Sequence, residues 1–361
     1  MDDALQSVME LSRDPVLALE NGMIAYMNSA AQKAFPGFRV GGSAAELLPD
    51  PRWLETAECF VSGVVIASVR YTVSALRRGG MLFLTFEPDL PVSESRSDLS
   101  ESVMNGMLSS LFNIGMASSR LRSTLPEKAD DAKKYLALLD HSYYSLLHLL
   151  RNQNMLLSLS RGSMELSYCR VDLAALCSDI VSSTDILTRG KYAKIVYSCE
   201  KETMPARMDA AKVELLVLDL LVNSLQNTPK EGQILLRLAQ SGENMLISVS
   251  DTGSGIPSAQ LKSAFNGLPD RIGFDAFRFD PGSRIGLPLC RLIAEKHGGT
   301  LIVESREGQG TDIRVLLPLS PSDTMNLMSQ PQEYINGGMD LILTELSGLL
   351  GADAYADYVR E

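Results

Sequence analysis

The stretch of this sequence that most constrains its fold is DTGSGIP, at residues 251–257. It follows an alternating apolar run, residues 245–250, which predicts a strand. A carboxylate at a strand end, Asp251, can accept a hydrogen bond from an exocyclic amino group of adenine. Gly253 and Gly255 let the chain turn where a side chain would block a ligand. The same string also suits an ordinary turn between strands, so the rest of the chain must decide.

Composition limits the classes of protein to consider. The 361 residues allow two or three domains, and 45% hydrophobic with 21% charged residues is typical of soluble globular protein. A net charge of -11 argues against nucleic acid or an anionic membrane as partner. No apolar run approaches the length of a bilayer span and no signal-peptide pattern is present, so we expect a cytoplasmic protein without membrane insertion. The five cysteines are scattered, which favours free thiols over a metal site.

Residues 1–92 predict a small α+β domain. Two short apolar runs flank Asn21-Gly22, which is typical of a β-hairpin. A helix is expected over residues 30–35, and strands over residues 61–70, 71–76 and 81–86. This order, with PVLALENGMIAYMNSAAQKAF at its start, resembles a PAS sensor domain. The alternative is a dimerisation module without a ligand, and the absence of histidine from the segment disfavours haem.

Residues 98–162 predict a helical hairpin that follows a Pro- and Ser-containing linker. Apolar or small residues recur at spacings of three and four in both halves, and Pro126 separates them. A two-helix hairpin has too little core alone, so we expect two copies to form a dimeric four-helix bundle, with a bundle inside one chain as the alternative. The expected seams are Val103, Met107, Ser110, Ile114, Ala117 and Leu121, then Leu136, Leu139, Tyr143, Leu146, Leu150, Gln153 and Leu157.

Residues 163–320 change to an α/β pattern. Helices are predicted over residues 171–181, 210–226 and 287–296, the last ended by His297-Gly298-Gly299. Strands are predicted over residues 194–199, 233–239, 245–250, 300–305 and 311–317. The tail, residues 321–361, holds a short apolar helix candidate at residues 339–350, expected to dock on the body or on a partner.

Four pieces of the α/β region suit a nucleotide. Asn223, near the end of a predicted helix, offers a hard oxygen ligand for Mg²⁺ that bridges phosphates. Asp251, Gly253 and Gly255 suit the base. A second glycine loop opens a helix whose first backbone N–H groups favour phosphate; its residues of interest are Gly282, Arg284, Gly286 and Leu287. Residues 308–311, GQGT, form a tight turn between the last two predicted strands.

The order of these pieces resembles the ATP-binding domain of sensor histidine kinases, shared with gyrase and MutL-type ATPases. The motifs are the N box LDLLVNSLQNTP, the G1 box DTGSGIP, the G2 region GSRIGLPLCRLIAEKHGG and the GQGT turn. The resemblance implies an α+β multidomain chain: a PAS-like sensor, a dimeric four-helix bundle and an α/β-sandwich (Bergerat-type) ATP-binding domain. It also implies that Asp251 binds adenine, that Asn223 binds Mg²⁺ through ATP and that Asn227 lies near the phosphates. A lid over residues 262–281 would carry Arg271 and Arg278.

The sequence departs from the family at the phosphoacceptor. The family's histidine position in the first hairpin helix holds Ser110, preceded by Ser109, and its proline position holds Gly115. The second helix carries His141 and His148, which the apolar seam places on the outward face. We retain Ser109, Ser110, His141 and His148 as alternative acceptors.

The nucleotide motifs depart from the family as well. Asp219 replaces an asparagine, Gln226 a lysine and Arg284 a glycine. Loss of the lysine weakens phosphate binding, because the site must hold several negative charges.

The expected function is therefore an ATP- and Mg²⁺-binding, histidine-kinase-like protein of a two-component type, deficient in histidine autophosphorylation. Its partners would be a second copy of the chain and a response regulator or another kinase. One alternative is a non-catalytic pseudokinase that regulates or scaffolds another kinase or response regulator. Another is an ATP-dependent serine kinase of the anti-sigma-factor type.

Overall fold

A computed structural model describes residues 9, 10, 12, 14–47, 59–67, 69–88, 101–125, 130–160, 164–266, 286–319 and 341–355. The strands are β1 Val16–Glu20, β2 Met23–Met27, β3 Cys59–Ile66, β4 Val69–Arg78, β5 Met81–Pro88, β6 Cys169–Asp172, β7 Lys194–Cys199, β8 Pro205–Met208, β9 Gln233–Ser241, β10 Asn244–Asp251, β11 Thr300–Arg306 and β12 Gly310–Pro318. The helices are α1 Ser29–Ala34, α2 Glu101–Thr124, α3 Asp130–Ser160, α4 Leu173–Thr188, α5 Ala210–Asn227, α6 Ser258–Asn266, α7 Gly286–Lys296 and α8 Leu341–Glu345.

The N-terminal sheet, β1–β5, is antiparallel throughout, with the order β2-β1-β5-β4-β3. Asn21 (φ 50°) and Gly22 (φ 77°) close the β1–β2 hairpin, as the sequence predicts. The predicted boundary between the next two strands is wrong. The chain reverses at Ala67, whose φ is 49°, so β3 ends at Ile66 and β4 begins at Val69.

The hairpin helices α2 and α3 run antiparallel and approach closely at Gly115. A Cβ atom on Gly115 would lie 2.8 Å from the ring of Tyr143, so a larger residue there would have to displace that ring. Asp140 of α3 accepts hydrogen bonds from Ser118 Oγ at 2.5 Å and from Arg122 at 2.5 Å. The predicted antiparallel hairpin is therefore correct.

The predicted seam residues divide between the contact of α2 with α3 and the exposed surface of the single chain. Leu136 and Tyr143 of α3 are buried, whereas Leu139 and Leu146 are exposed. In α2 the residues that face α3 are Leu111, Gly115 and Ser118. Seam residues of α2 form an exposed stripe instead; they are Met107, Ser110, Ile114, Ala117 and Leu121.

The α/β domain places β11-β12-β10-β9-β7 in one sheet, with α4, α5 and α7 packed on one face. A separate pair, β6 and β8, completes it. Helix α5 and the pairing of β9 with β10 match the prediction. Val171, predicted in a helix, lies in β6; the helix begins two residues later because Asp172 caps it by accepting from the Ala174 N–H at 3.0 Å.

The two sheets are joined edge to edge. Strand β3 pairs antiparallel with β11, with Ser62 opposite Ile302 and Phe60 opposite Glu304. Ten strands therefore form one continuous sheet. Ile302 and Leu316 of the α/β domain are buried in the core of the N-terminal sheet.

Residues 341–355, here the C-terminal segment, dock on the same chain. Helix α8 continues into two short 3-10 turns, and Leu343, Leu346 and Leu350 are buried in the core shared with α4 and α5. The expectation that the tail docks is confirmed, with the body of the chain as its site. Within the described ranges, no helix combines the length and apolarity needed to cross a bilayer.

Candidate nucleotide site

Asp251 ends β10, and its carboxylate is held by three donors. Oδ1 accepts from the backbone N–H groups of Gly253 at 2.9 Å and Thr311 at 3.2 Å. Oδ2 accepts from Ser224 Oγ at 3.2 Å. Burial raises the pKa of Asp251, and these hydrogen bonds oppose that rise. The carboxylate is thus fixed in orientation, with acceptor capacity left on Oδ2.

Two glycines allow the loops around Asp251 to touch. Gly310 has φ +94°, and a Cβ there would lie 1.9 Å from the Asp251 carbonyl oxygen. Gly255 has φ +66°, and its Cβ would lie 1.9 Å from the Arg306 carbonyl oxygen. Any side chain at either position would push residues 251–257 away from the turn between β11 and β12. The GQGT turn and the G1 box are therefore one interlocked unit.

Helix α5 ends against this unit. The backbone N–H of Ser254 donates to the Asn227 carbonyl at 3.1 Å, and a Cβ on Gly253 would lie 2.3 Å from the same oxygen. The Asn227 side chain donates to the Asn223 carbonyl at 2.7 Å. Asn223 is half-buried and Asn227 exposed, so the two predicted polar residues lie one helical turn apart beside the Asp251 loop.

The start of α5 is anchored by His297, which the sequence indicated only as part of a helix stop signal. His297 Nε2 accepts from the Asp209 N–H at 3.1 Å, and Nδ1 contacts the Ile293 carbonyl at 2.8 Å. These contacts require the tautomer with the proton on Nδ1. Asp209 in turn caps α5 by accepting from the Lys212 N–H. The buried imidazole thereby fixes α7 against α5.

The second glycine loop is described only in part. Gly286 and Leu287 are the first residues of α7. Gly282, Arg284, Arg271 and Arg278 lie outside the described residues. Helix α6 leads into that segment, and its Lys262 pairs with Glu87 of β5.

Comparison with known proteins agrees with this geometry. Residues 208–321 match the family model of histidine kinase-, DNA gyrase B- and HSP90-like ATPases. The alginate biosynthesis sensor protein KinB of Pseudomonas aeruginosa is 31% identical over 209 residues, which are 56% of this chain and 34% of KinB. The circadian input-output histidine kinase CikA of Synechococcus elongatus is 27% identical over 210 residues, 57% of this chain and 27% of CikA. The chain is a relative of the sensor histidine kinases.

This relative of the kinases spans about a third of the length of KinB and less of CikA. Among solved structures, full-length ShkA in complex with AMPPNP is 21% identical, with a TM-score of 0.48 over 61% of this chain and 45% of that chain.

Asp219 introduces a carboxylate one helical turn before Asn223 in the kinase-type N box. Burial raises the pKa of Asp219 to about 7, and the Arg151 guanidinium of α3 opposes that rise. Its Oδ2 atom is buried and has no hydrogen-bond partner among the residues that the structure describes. An asparagine at this position would carry no charge, so the departure adds a titratable group to the helix that bears Asn223.

The four residues considered as acceptors on the hairpin lie in two environments. Ser109 and Ser110 are exposed on α2. His141 is half-buried, with its ring 5.6 Å from that of Tyr355. His148 is 26% exposed and lies 3.7 Å from Glu345, and burial with the nearby Arg151 charge lowers its pKa to about 4. The outward placement predicted for both histidines is wrong, because the C-terminal segment covers that face of α3.

Proposed function

We propose that the chain is a Mg·ATP-binding signalling protein of the histidine kinase type that no longer transfers phosphate to a hairpin imidazole. The observation that supports it most is the carboxylate of Asp251, buried at a strand end and held by the Gly253 and Thr311 N–H groups.

A fixed carboxylate selects adenine. Asp251 Oδ2 retains acceptor capacity beside Ser224, and the exocyclic amino group of adenine is a donor. Guanine places a carbonyl oxygen at the equivalent ring position, which would face the carboxylate with a second acceptor. We therefore expect ATP to bind in preference to GTP.

Asn223 is the residue we assign to Mg²⁺ and Asn227 to the phosphates. Mg²⁺ keeps several waters and takes few protein oxygens when it bridges phosphates, so one amide oxygen suffices. Gly286 and Leu287 begin α7, where backbone N–H groups favour anions; Gly282 and Arg284 precede them. Because Gln226 replaces a lysine and Asp219 adds a carboxylate, we expect weaker ATP binding than the family motif supports.

The state of the histidines supports loss of histidine phosphorylation. The chain has three, and none presents an exposed imidazole. His297 is buried, and the C-terminal segment packs on His141 and His148. The acceptor position in α2 holds Ser110, and the hydroxyl of a serine needs a base for activation.

The proposal also assigns roles to the N-terminal sheet, the hairpin and the C-terminal part of the chain. The strand order β2-β1-β5-β4-β3 supports a PAS-like sensor over residues 1–92. The exposed stripe on α2, with Leu139 and Leu146 of α3, supports a four-helix bundle formed by a second copy through residues 98–162. A response regulator or another kinase would be the partner of this hairpin. The ATPase domain would occupy residues 163–320, and the tail residues 321–361.

Nucleotide binding is tested by titrating a fluorescent ATP analogue with Mg²⁺ into the protein and competing with ATP or GTP. Asp251→Asn should weaken binding at least tenfold, because the charged acceptor is lost. Asp312→Asn is the matched control: it is the same change on the neighbouring strand, where Asp312 accepts from Ser250 at 2.8 Å. Equal binding of the wild type and Asp251→Asn contradicts the assignment, and no binding by the wild type contradicts the whole proposal.

Phosphoryl transfer is tested separately with γ-labelled ATP. We expect no label that is acid-labile and base-stable, the signature of phosphohistidine. Acid-stable label lost in Ser109→Ala or Ser110→Ala would establish the serine kinase instead. Binding without any label supports a non-catalytic regulator, the pseudokinase alternative.

A further inference from the structure

The C-terminal segment lies between the hairpin and the ATPase domain. Leu343, Leu346 and Leu350 are at most 3% exposed and belong to the core that holds α4 and α5. Helix α3 contacts this segment more extensively than it contacts any helix or strand of the ATPase domain. Among the residues that the structure describes, 341–355 therefore form the main non-covalent connection between α3 and the ATPase domain.

The hairpin side of this connection consists of side chains. Glu345, 1% exposed, accepts a hydrogen bond from Arg151 and lies beside His148. Tyr355 stacks on Tyr144, with ring centroids 5.5 Å apart at an interplanar angle of 24°. The His141 ring packs against the same Tyr355 ring in a T-shaped arrangement. A single segment thus covers both histidines of α3.

The ATPase side uses different residues. The Tyr192 hydroxyl donates to the Leu349 carbonyl, and Lys191 pairs with Asp353 at 2.5 Å. Tyr192 belongs to the loop between α4 and β7, remote in sequence from the hairpin. The Tyr355 hydroxyl donates to the Leu343 carbonyl at 3.3 Å, which ties the two ends of the segment together. Loosening of one side is therefore transmitted to the other.

Arg151 links the segment to the N-box helix. Burial lowers its pKa to about 10, and the carboxylates of Asp219 and Glu214 oppose that fall, so it stays charged at neutral pH. With the segment seated, Arg151 donates to Glu345. Glu345 is 1% exposed, so its seating on Arg151 places the segment directly against α3.

We propose that residues 341–355 are an intramolecular clasp between the hairpin and the ATPase domain. When seated, the clasp fixes α3 to that domain. When released, it frees the hairpin and uncovers His141 and His148. The contacts of the clasp involve no nucleotide, so its test does not depend on whether the chain binds ATP.

The test is hydrogen exchange of the full chain, wild type against Tyr192→Phe. This change removes the hydroxyl that donates to the Leu349 carbonyl, a contact on the ATPase side of the clasp. Exchange should rise about three- to tenfold both in residues 341–355 and in residues 141–151 of α3. Tyr197→Phe is the matched control, since its hydroxyl donates to the Ala174 carbonyl at 3.0 Å within the ATPase domain. A rise confined to residues 341–355 overturns the clasp.

A second measurement reads the covered histidines directly. Carbethoxylation of His141 and His148 should be roughly tenfold faster in Glu345→Gln than in the wild type, with buried His297 unchanged as internal reference. Glu200→Gln, which changes an exposed acid of the ATPase domain that pairs with Arg237 outside the clasp, is the control. The decisive residue is His141, because its ring packs on Tyr355 and not on Glu345. If the modification rate of His141 is unchanged in Glu345→Gln, the segment does not leave α3 as one unit and the clasp is overturned. If Glu345→Gln fails to fold, the same two modification rates are measured in Tyr192→Phe.

Discussion

The ATPase domain has two junctions with the rest of the chain, and they are built differently. Towards the N-terminal sheet, β11 pairs with β3 through main-chain hydrogen bonds that extend one sheet into another. Towards the hairpin, the contact passes through the side chains of the C-terminal segment, Glu345 and Tyr355 above all. The first junction rests on continuous backbone pairing, to which Arg291 adds a hydrogen bond to Thr72 Oγ1 at 3.1 Å and Thr300 one to the Gly63 carbonyl at 3.0 Å. The second junction rests mainly on particular side chains.

This difference predicts different sensitivities to substitution. The sheet junction tolerates most side chains along β3 that keep the strand, but not added volume where the two domains touch. The hairpin junction should respond to loss of volume or of one charge. Four substitutions separate the two cases.

The largest effect is expected for Leu346→Ala. Leu346 has no exposed surface and fills the core under the clasp, so its truncation should cost about 3 kcal/mol of unfolding free energy. Leu349→Ala, half-buried in the same segment, should cost less. Urea unfolding measures both; a cost for Leu346→Ala equal to that of Leu349→Ala would show that the clasp is not part of the core.

A smaller effect is expected for Gly63→Val at the sheet junction. A Cβ on Gly63 would lie 3.0 Å from Glu295 Oε1 and 3.4 Å from Arg291 Nε, so valine should cost about 2 kcal/mol, although it favours strands. Gly37→Val is the control, because nothing lies within 4 Å of its added Cβ. Stability equal to wild type by urea unfolding would mean that the two domains separate freely at this edge.

Asp219→Asn should change how stability depends on pH. The folded pKa of about 7 lies above the ordinary aspartate value of 3.8, so the wild type is relatively stabilised below about pH 4 and loses that contribution as pH rises through about 7. The groups that act with Asp219 are Arg151 of α3 and Cys290 of α7.

The asparagine variant has no carboxyl group at this position, so its stability does not fall as the pH rises through about 7. It should therefore exceed the wild type by roughly 1 to 2 kcal/mol at pH 8 and match it near pH 4, as measured by urea unfolding across that range. A constant difference at all pH values would contradict a buried, titrating carboxyl.

The smallest effect is expected for Arg70→Gln. Arg70 lies 2.8 Å from Glu295 across the sheet junction but is 46% exposed, so the pair should contribute at most about 0.5 kcal/mol. The contribution should vanish at high salt, because exposed charges are screened. Arg237→Gln, which removes the exposed pair with Glu200, is the control within one domain. A salt-independent cost for Arg70→Gln would instead show that this edge depends on charge.

Local chemistry made several elements predictable. Asn21-Gly22 fixed the first hairpin, and the apolar spacing of residues 210–226 indicated α5, because both signals depend on near neighbours. The strand at Val171 was missed, since its pairing partner Ala206 lies far along the chain. The union of β3 with β11 is likewise a pairing between distant segments, for which no short pattern exists.

The parts of the nucleotide site that could be predicted are those where the backbone conformation requires glycine. Gly255 and Gly310 have positive φ angles and lie against neighbouring carbonyl oxygens, where no other residue fits. Their positions in the sequence therefore indicate where the loops touch. Ser224 was missed as a partner of Asp251, although it directly follows Asn223. The buried state of His148 could not be deduced from helix periodicity, because residues nearly two hundred positions later cover it.

The position of the clasp in the chain also sets an order of assembly. Residues 341–355 are synthesised after every residue that they contact, so α3 and the ATPase domain leave the ribosome before their connection exists. A nascent chain therefore has its hairpin unrestrained and both α3 imidazoles accessible. The junction can close only after residues 341–355 have themselves left the ribosome, and from that moment α3 and the ATPase domain can move as one.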